Sequence, residues 1–295
     1  MSTTDIQQSP VETRLTLNII KPQVQPYCIL SWNVDGYSDS IHSWLGYLLT
    51  TSRPDVVFIS ETKKNADTLR GYFDGTHQFS EYNYIINAHT PAQYHGVVAL
   101  IRKDRTYTQF NVNLNVPARN DTKDGNPVTG RLIAFQLEDQ FIIVGTYVPN
   151  SGVRGNTLEK LEYRIKTWDP ALYALLNTCR ASKPTVWLGD INVAPTNIDV
   201  SNPKTMCKMA GFTPEECRNF AEFMSSGHWI DVWRSQHPTV QDYSWKGHTP
   251  KPNYGMRLDN IIVSTELAPR VNSTFMMPDC ILSDHIPVGA YIYKQ

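Results

Sequence analysis

After a polar opening stretch, the chain settles into short runs of β-branched and aromatic residues separated by turn formers. Such runs predict strands over Tyr27–Val34, Asp55–Ser60, Tyr82–Ala88, Gly96–Arg102, Arg131–Leu137, Phe141–Val148, Thr185–Leu188, Leu258–Val263 and Ile286–Tyr293. The period changes between Thr157 and Cys179. There Leu158, Leu161, Ile165, Trp168, Leu172, Leu175 and Cys179 recur at steps of three and four, which predicts an amphipathic helix with a kink at Pro170. Thr213, followed by Pro214 and then Glu216, has the pattern of a capped helix start. Asn120–Gly130 is dense in turn residues and predicts a hairpin loop. Strands mixed with helices mean α/β or α+β, and periodicity does not choose between a doubly wound sheet and a two-sheet sandwich flanked by helices. No repeat or linker divides the chain, so residues 27–295 are expected to form one domain behind a polar lead-in, 1–26, whose first part is expected to be disordered.

Composition narrows the class. With 41% hydrophobic and 19% charged residues over 295 positions, the chain is neither wholly disordered nor collagen-like. A net charge of −1 excludes a broadly basic coat for a polyanion but leaves room for a local basic rim. Five cysteines without a C-x-x-C pair point to a reduced intracellular compartment, and nucleus and cytoplasm both stay open. No apolar window long enough for a membrane span occurs, and no leader or transit peptide is readable. A monomer is the default expectation.

Acidic and amide residues gather where the strand runs end. Asn33 and Asp35 follow Cys-Ile-Leu-Ser-Trp, and their spacing turns both side chains to one strand face. Asp190 and Asn192 repeat this after Val-Trp-Leu-Gly, Glu61 closes Val-Val-Phe-Ile-Ser, Asp259 heads a later strand, and Asp284-His285 precede the last one. A lone Asp or Asn at a strand end usually caps a turn or helix. A whole set of them points to shared chemistry. Gathered on one rim, like charges ~4 Å apart repel by roughly 4 kcal/mol at an effective dielectric near 20, so the set must take up protons or hold a cation. Oxygen donors without a cysteine cluster select a hard ion, Mg²⁺ with Mn²⁺ as a substitute, as in much phosphate chemistry. His285 is embedded among these acids, with Asp259 available to orient its ring, and is a candidate for polarising a phosphoryl oxygen.

The motifs Ile29-Leu-Ser-Trp-Asn33-Val-Asp35-Gly, Pro54-Asp-Val-Val-Phe-Ile-Ser-Glu61-Thr-Lys, Gly145-Thr-Tyr147-Val-Pro-Asn150, Gly189-Asp190-Ile-Asn192-Val, Arg257-Leu-Asp259 and Ser283-Asp284-His285-Ile-Pro resemble, in this order, the endonuclease/exonuclease/phosphatase superfamily. The resemblance runs from Tyr27 to Tyr293. Within the superfamily, Tyr94-His-Gly-Val, Leu161-Glu-Tyr-Arg with Trp168, Asn192-Val-Ala with Ile198-Asp199-Val, and above all Ala210-Gly-Phe-Thr-Pro-Glu-Glu-Cys-Arg-Asn-Phe220 are similar to the exonuclease III class of apurinic/apyrimidinic (AP) endonucleases. This implies an α/β four-layer sandwich like deoxyribonuclease I, two central mixed β-sheets flanked by helices, with the active site at one end.

The resemblance also implies roles. Asp35, Glu61 and Asp284, with Asn33, would bind or support the metal. Asp190, backed by Asn33 and Asn192, would align and deprotonate the attacking water, its carboxyl staying in the ordinary range so that the ion shares the task. Asn192, Tyr147, Asn150 and His285 would contact the scissile phosphate, with Asp259 holding His285. The number of metal ions and the identity of the base stay open. The implied reaction is hydrolysis 5′ to an abasic site in double-stranded DNA, with 3′–5′ exonuclease and 3′-phosphodiesterase work at the same site. Such an enzyme turns a sugar out of the helix, which costs least where no base remains. Trp245, Met256 and Leu258, flanking Arg257, match the positions that wall the sugar pocket, and Leu258 reads equally as core. Lys63, Lys64, Arg102, Lys103, Lys246, Lys251 and Arg257 are candidates for a rim along the DNA backbone. Arg154 stands one residue later than the resemblance expects and receives no role. Two alternatives are kept: a phosphomonoesterase of the same superfamily acting on an inositol phosphate or a nucleotide, and a nucleic-acid-binding protein with a dead site, against which the complete acid set speaks.

Overall fold

Two parallel strand pairs organise the fold, one in each of two six-stranded sheets. The computed structural model describes residues 25–88, 95–114, 116–117, 129–152, 157–247 and 254–295. From edge to edge, the first sheet runs β13 (Val271–Met276), β14 (Val288–Ile292), β1 (Tyr27–Asn33), β2 (Val56–Ser60), β4 (Val97–Arg102) and β3 (Tyr82–Asn87). The second runs β5 (Tyr107–Phe110), β6 (Leu132–Leu137), β7 (Phe141–Tyr147), β8 (Thr185–Asp190), β12 (Asp259–Ser264) and β9 (Trp229–Asp231). A short ribbon pairs β10 (Trp245–Lys246) with β11 (Gly255–Met256).

Parallel neighbours require a crossover, usually a helix. Between β1 and β2 it is α1 (Asp39–Thr51). Between β7 and β8 it begins as α3 (Leu161–Tyr163), widens into a π turn over Arg164–Trp168 and continues as α4 (Asp169–Ser182). Pro170 does not kink a continuous helix. It falls in the first turn of α4, just behind the π turn, where its missing N–H breaks no ladder. The remaining helices are α2 (Ala66–Asp74), α5 (Pro203–Met206), α6 (Pro214–Met224) and α7 (Val232–Gln236). The capping box read from Thr213 and Glu216 opens α6.

Strand alternation sorts side chains into layers. Tyr27 and Ile29 of β1 and Phe58 of β2 meet Ile143, Val186 and Leu188 between the sheets. Leu30 and Trp32 face the other way, against Ile41 and Leu45 of α1. Val144 and Trp187 pack on Leu172 and Leu176 of α4 and on Phe220 of α6. The order is helix, sheet, sheet, helix: an α/β four-layer sandwich whose mixed sheets are covered on both faces, so their central strands are buried along their whole length. No helix among the described residues is long and apolar enough to cross a membrane. Residues 1–24 of the lead-in, Tyr94, 120–128 of the hairpin loop, Arg154 and Lys251 lie outside the described residues.

Topology also places the polar strand ends. Asn33 and Tyr147 finish strands of the two parallel pairs, Glu61 follows β2, and Asp190 finishes β8. Strand β12 runs antiparallel to β8 with Asp259 opposite Asp190, and His285 enters β14, the antiparallel neighbour of β1.

Candidate active site

At the ends of β1 and β8 the backbone makes the same turn. Asn33 Oδ1 accepts from Asp35 N at 3.0 Å, and Asp190 Oδ1 accepts from Asn192 N at 2.9 Å, each a side chain closing a turn two residues on. Asp35, Glu61 and Asn192 all hold left-handed backbone, with φ of 47°, 54° and 49°. That conformation costs an L-residue about 1–2 kcal/mol, and strain of this kind concentrates where side chains must be aimed. Gly189 delivers Asp190: at its φ of 134° a Cβ would fall 1.9 Å from Thr146 O on β7.

The aimed side chains form a row in which carboxylates and donors alternate. Lys63 Nζ pairs with Asp35 and lies 3.0 Å from Glu61 Oε2. Asn33 Nδ2 donates to Glu61 Oε1 at 3.0 Å and to Asp190 Oδ2 at 2.9 Å. His285 Nε2 stands 4.0 Å from Asp190 Oδ2, and its Nδ1 is 2.6 Å from Asp259 Oδ2. Beside the row the Tyr147 hydroxyl bonds Glu61. Asn150 Nδ2 donates to Asn192 Oδ1 at 2.9 Å, and Asn192 Nδ2 donates to Val148 O at 2.8 Å.

Electrostatics follows from this order. Burial and then the Asp259 carboxylate push Asp190 up to about 7, which corrects the expectation of an ordinary carboxyl. Burial works against a charged His285, but Asp259 and its hydrogen bond, with Asp190 adding to them, outweigh it and hold the ring up at about 10. Burial also works against Glu61, whose carboxyl is nevertheless kept below the usual range by Lys63 and by bonds from Tyr147 and Asn33. Burial, reinforced by Glu61, lifts the Tyr147 phenol far above its usual range.

The donor set fits a hard cation. Asp35 and Glu61 converge on one positive centre, Lys63 Nζ, at the open end of the row. Donor atoms of Asp190, Asp259 and His285 lie within 4.8 Å of one another, a buried group able to hold a metal, and Asp259 Oδ1 has no hydrogen-bond partner among the described residues. Asp284 is engaged differently, its Oδ2 accepting from Trp245 Nε1 at 2.9 Å.

A pocket of about 430 Å³ opens beside the row, bordered by Asn150, Met209, Trp245, Met256 and Leu258 as well as by Asp190 and His285. Met256 and Leu258 are at once its wall and part of a small apolar cluster with Ala194, Val200, Met206 and Phe212. Arg257 is not on the pocket. It is fully buried behind the wall, its Nε 2.6 Å from Asp199 Oδ1 and its Nη2 2.7 Å from Asp231 Oδ2, so the expectation that it contacts substrate or joins a basic rim is corrected. Arg102 and Lys103 leave the rim too. Strand β4 runs antiparallel to β2, with Ile101 beside Val56, so both lie at the end of the sheet remote from Glu61. Lys63 and Lys246 do border the site.

Two supports escape sequence reasoning. Arg164, buried in the π turn, donates to the carbonyls of Ile191, at 2.6 Å, and Asn192, fixing the turn behind Asp190. Glu216 joins Arg164 at 3.2 Å to Ser151 Oγ at 2.6 Å. A signal for Arg164 exists: it lies on the apolar stripe of its helix, three residues after Leu161 and four before Trp168.

The sequence profile of the endonuclease/exonuclease/phosphatase family matches residues 30–285. A DNA-(apurinic or apyrimidinic site) endonuclease of Dictyostelium discoideum is 35% identical over 282 residues, 93% of this chain and 73% of that protein. The DNA repair nuclease APEX1 of Danio rerio is 31% identical over 273 residues, covering 90% and 81% of the two chains. The crystal structure of the AP endonuclease LMAP from Leishmania major superposes with a TM-score of 0.77 at 26% identity, over 92% of this chain and 89% of that one.

Proposed function

This chain belongs to the endonuclease/exonuclease/phosphatase family, within it to the exonuclease III class of DNA repair nucleases, and we propose that its substrate is an abasic site in duplex DNA, cut on the 5′ side with magnesium by a monomer. The observation that carries this reading is the adjacency of two things: a row of acids and donors suited to phosphodiester hydrolysis, and a pocket walled by Trp245, Met256 and Leu258 that suits a sugar without a base. A magnesium ion held at Asp35 and Glu61, with Asp284 and Asn33 in support, would neutralise phosphate charge and acidify water. Asp190, fixed by Asn33 Nδ2 and the Asn192 amide, orients the attacking water and takes its proton. His285, kept cationic and aligned by Asp259, donates to a phosphoryl oxygen. Tyr147, Asn150 and Asn192 border the same pocket and supply further donors. 3′–5′ exonuclease and 3′-phosphodiesterase work would use the same machinery. The five cysteines, all free, suit a reducing intracellular compartment. The relatives' names leave the phosphomonoesterase alternative with less support.

The test is incision of an end-labelled duplex carrying one tetrahydrofuran abasic analogue, beside an undamaged duplex, with magnesium or with chelator. A single cut 5′ to the lesion, lost in chelator, is expected. Equal cutting of undamaged duplex, or full activity in chelator, overturns the reading.

A further inference from the structure

Next to the substrate pocket lies a larger cavity, about 810 Å³, that the chemistry above does not use. A short antiparallel pairing divides the two spaces. Trp245 and His285 face each other in an isolated bridge, Lys246 N donates to Asp284 O at 2.8 Å, and Ile286 N donates to Ser244 O at 2.8 Å. Trp245 and His285 border the substrate pocket, and the residues that follow them, Lys246 and Ile286, border the cavity, as alternation along extended chain requires. Tyr254 borders the cavity too, its ring edge-on to Trp245 with centroids 6.1 Å apart.

The lining combines rings with unmatched polar groups. Trp233 of α7, Phe275 of β13, Tyr243 and Tyr254 come from separate segments and offer π faces to a planar guest. Trp233 Nε1 and His237 Nε2 are buried and have no hydrogen-bond partner among the described residues, and their rings lie 4.1 Å apart between centroids. Lys246 and Asp242 have neither a side-chain hydrogen bond nor an ion pair among the described residues. A concave, largely aromatic space with a few separate polar groups is the build of a small-molecule site. A planar guest with donors and acceptors along its edge matches the indole, the imidazole and the Asp242 carboxylate, and an anionic tail matches Lys246. Lys246 also borders a groove of about 470 Å³ beside Asp35 and Asp284, so the anionic end of the guest belongs on the side of the catalytic row.

We propose that this cavity is a subsite for an unpaired nucleotide, with its base among the rings and its phosphate at Lys246. Two sources share that chemistry: a free nucleoside monophosphate, and a nucleotide of the DNA strand that has left the stack. The second source rests on the proposed function. Every base has a π face, so a site built on stacking takes the nucleotide without strong preference for one base.

The experiment is calorimetric titration of the full chain, in chelator, with deoxyadenosine monophosphate, deoxyadenosine and deoxyribose 5-phosphate. The monophosphate is expected to bind at one saturable site, and deoxyribose 5-phosphate at least about tenfold more weakly. Trp233→Leu should weaken the monophosphate about tenfold. Lys246→Gln should weaken the monophosphate and leave deoxyadenosine unchanged, a split that a misfolded variant does not give. His285→Ala should bind the monophosphate as wild type does. No saturable binding by wild type, or both cavity variants equal to wild type, overturns the proposal. So does loss of binding in His285→Ala, which would seat the nucleotide in the substrate pocket. Competition separates the sources. Greater release of the monophosphate by a lesion duplex with unpaired adenines than by a fully paired one assigns the site to the strand, whereas equal release by the two, or none, assigns it to the free nucleotide. Wild type failing to incise a lesion duplex in magnesium overturns the function itself, a separate outcome that leaves the titrations to judge the cavity alone.

Discussion

Replacing Arg257 by Met separates a structural role from substrate contact. Arg257 is fully buried and its guanidinium bridges Asp199, Asp231 and Asn260 behind the pocket wall. Removing one partner of a buried ion pair costs about 3–5 kcal/mol, because the remaining charge is left unpaired. Here the loss falls at the lower end. Asp199 Oδ1 keeps Arg234 Nη2 at 2.6 Å, and Asp231 Oδ1 keeps the Arg234 amide at 3.0 Å. We expect about 3 kcal/mol, which for a chain of this size lowers the melting temperature by roughly 5 °C. Circular dichroism melts and urea titrations read this directly, and incision kinetics well below the transition should keep kcat close to wild type. Arg257→Lys should recover little, since one ammonium cannot replace a planar fork between two carboxylates. A melting temperature shifted by less than about 1 °C with a raised KM would refute the reasoning and return Arg257 to the substrate.

Asp190→Asn should lower kcat roughly 10³–10⁴-fold while lesion-duplex affinity in chelator changes little, since the amide no longer accepts the water's proton and meets donors from Asn33 and Asn192 on both sides. Glu61→Gln, by contrast, should be partly rescued by more magnesium, and rescue of Asp190→Asn instead would reverse the division of labour between the two acids. Asp259→Asn should reduce kcat about 10²-fold with KM nearly unchanged, because it loosens the His285 ring without touching the pocket. A raised KM at full kcat would contradict that role.

The parts of the fold legible in the sequence are those whose burial leaves no ambiguity. β1, β2, β7 and β8 are covered on both faces, so their apolar runs are continuous and bounded. Strand β5 escapes because it is an edge strand with little burial, and α2 because only Leu69 and Phe73 of its residues are buried. α1 escapes although Ser38 caps it, accepting from Ile41 N, because its apolar stripe is mixed with aromatic and β-branched residues that read equally as strand. In the site, acids at strand ends are visible as residue types, but the register that sets Asp259 opposite Asp190, and hence the shift of Asp190, depends on pairing across 69 positions of chain. Arg257 is the instructive error. If Met256 and Leu258 face one way along an extended chain, period two turns the residue between them away, so the sequence already argues against placing all three on one wall.

The row from Asp35 to Asp259 is graded, and the grading suits its two ends to the two proposed tasks. The Asp35 side chain is 45% exposed and that of Glu61 18%, whereas that of Asp190 is 2% and that of Asp259 0% exposed. A hard dication such as magnesium dehydrates reluctantly and keeps several waters, so the solvent-facing carboxylates at the Asp35 end suit it better than the buried group of Asp190, Asp259 and His285. Proton transfer makes the opposite demand, since a dry setting strengthens each interaction with the reacting groups and keeps bulk water from competing. The Asp190–His285–Asp259 end meets that demand, in keeping with the proposed roles. Asn33 stands where the two regimes meet, donating one way to Glu61 and the other to Asp190, and as a neutral amide it can satisfy both carboxylates without choosing a charge state for either. A lysine there would neutralise the inner acid and remove its use as a proton acceptor. An aspartate would add a further anion to a group already holding Asp190 and Asp259. The physical requirement at that position is therefore two N–H donors carrying no charge, which asparagine meets at the reach β1 allows.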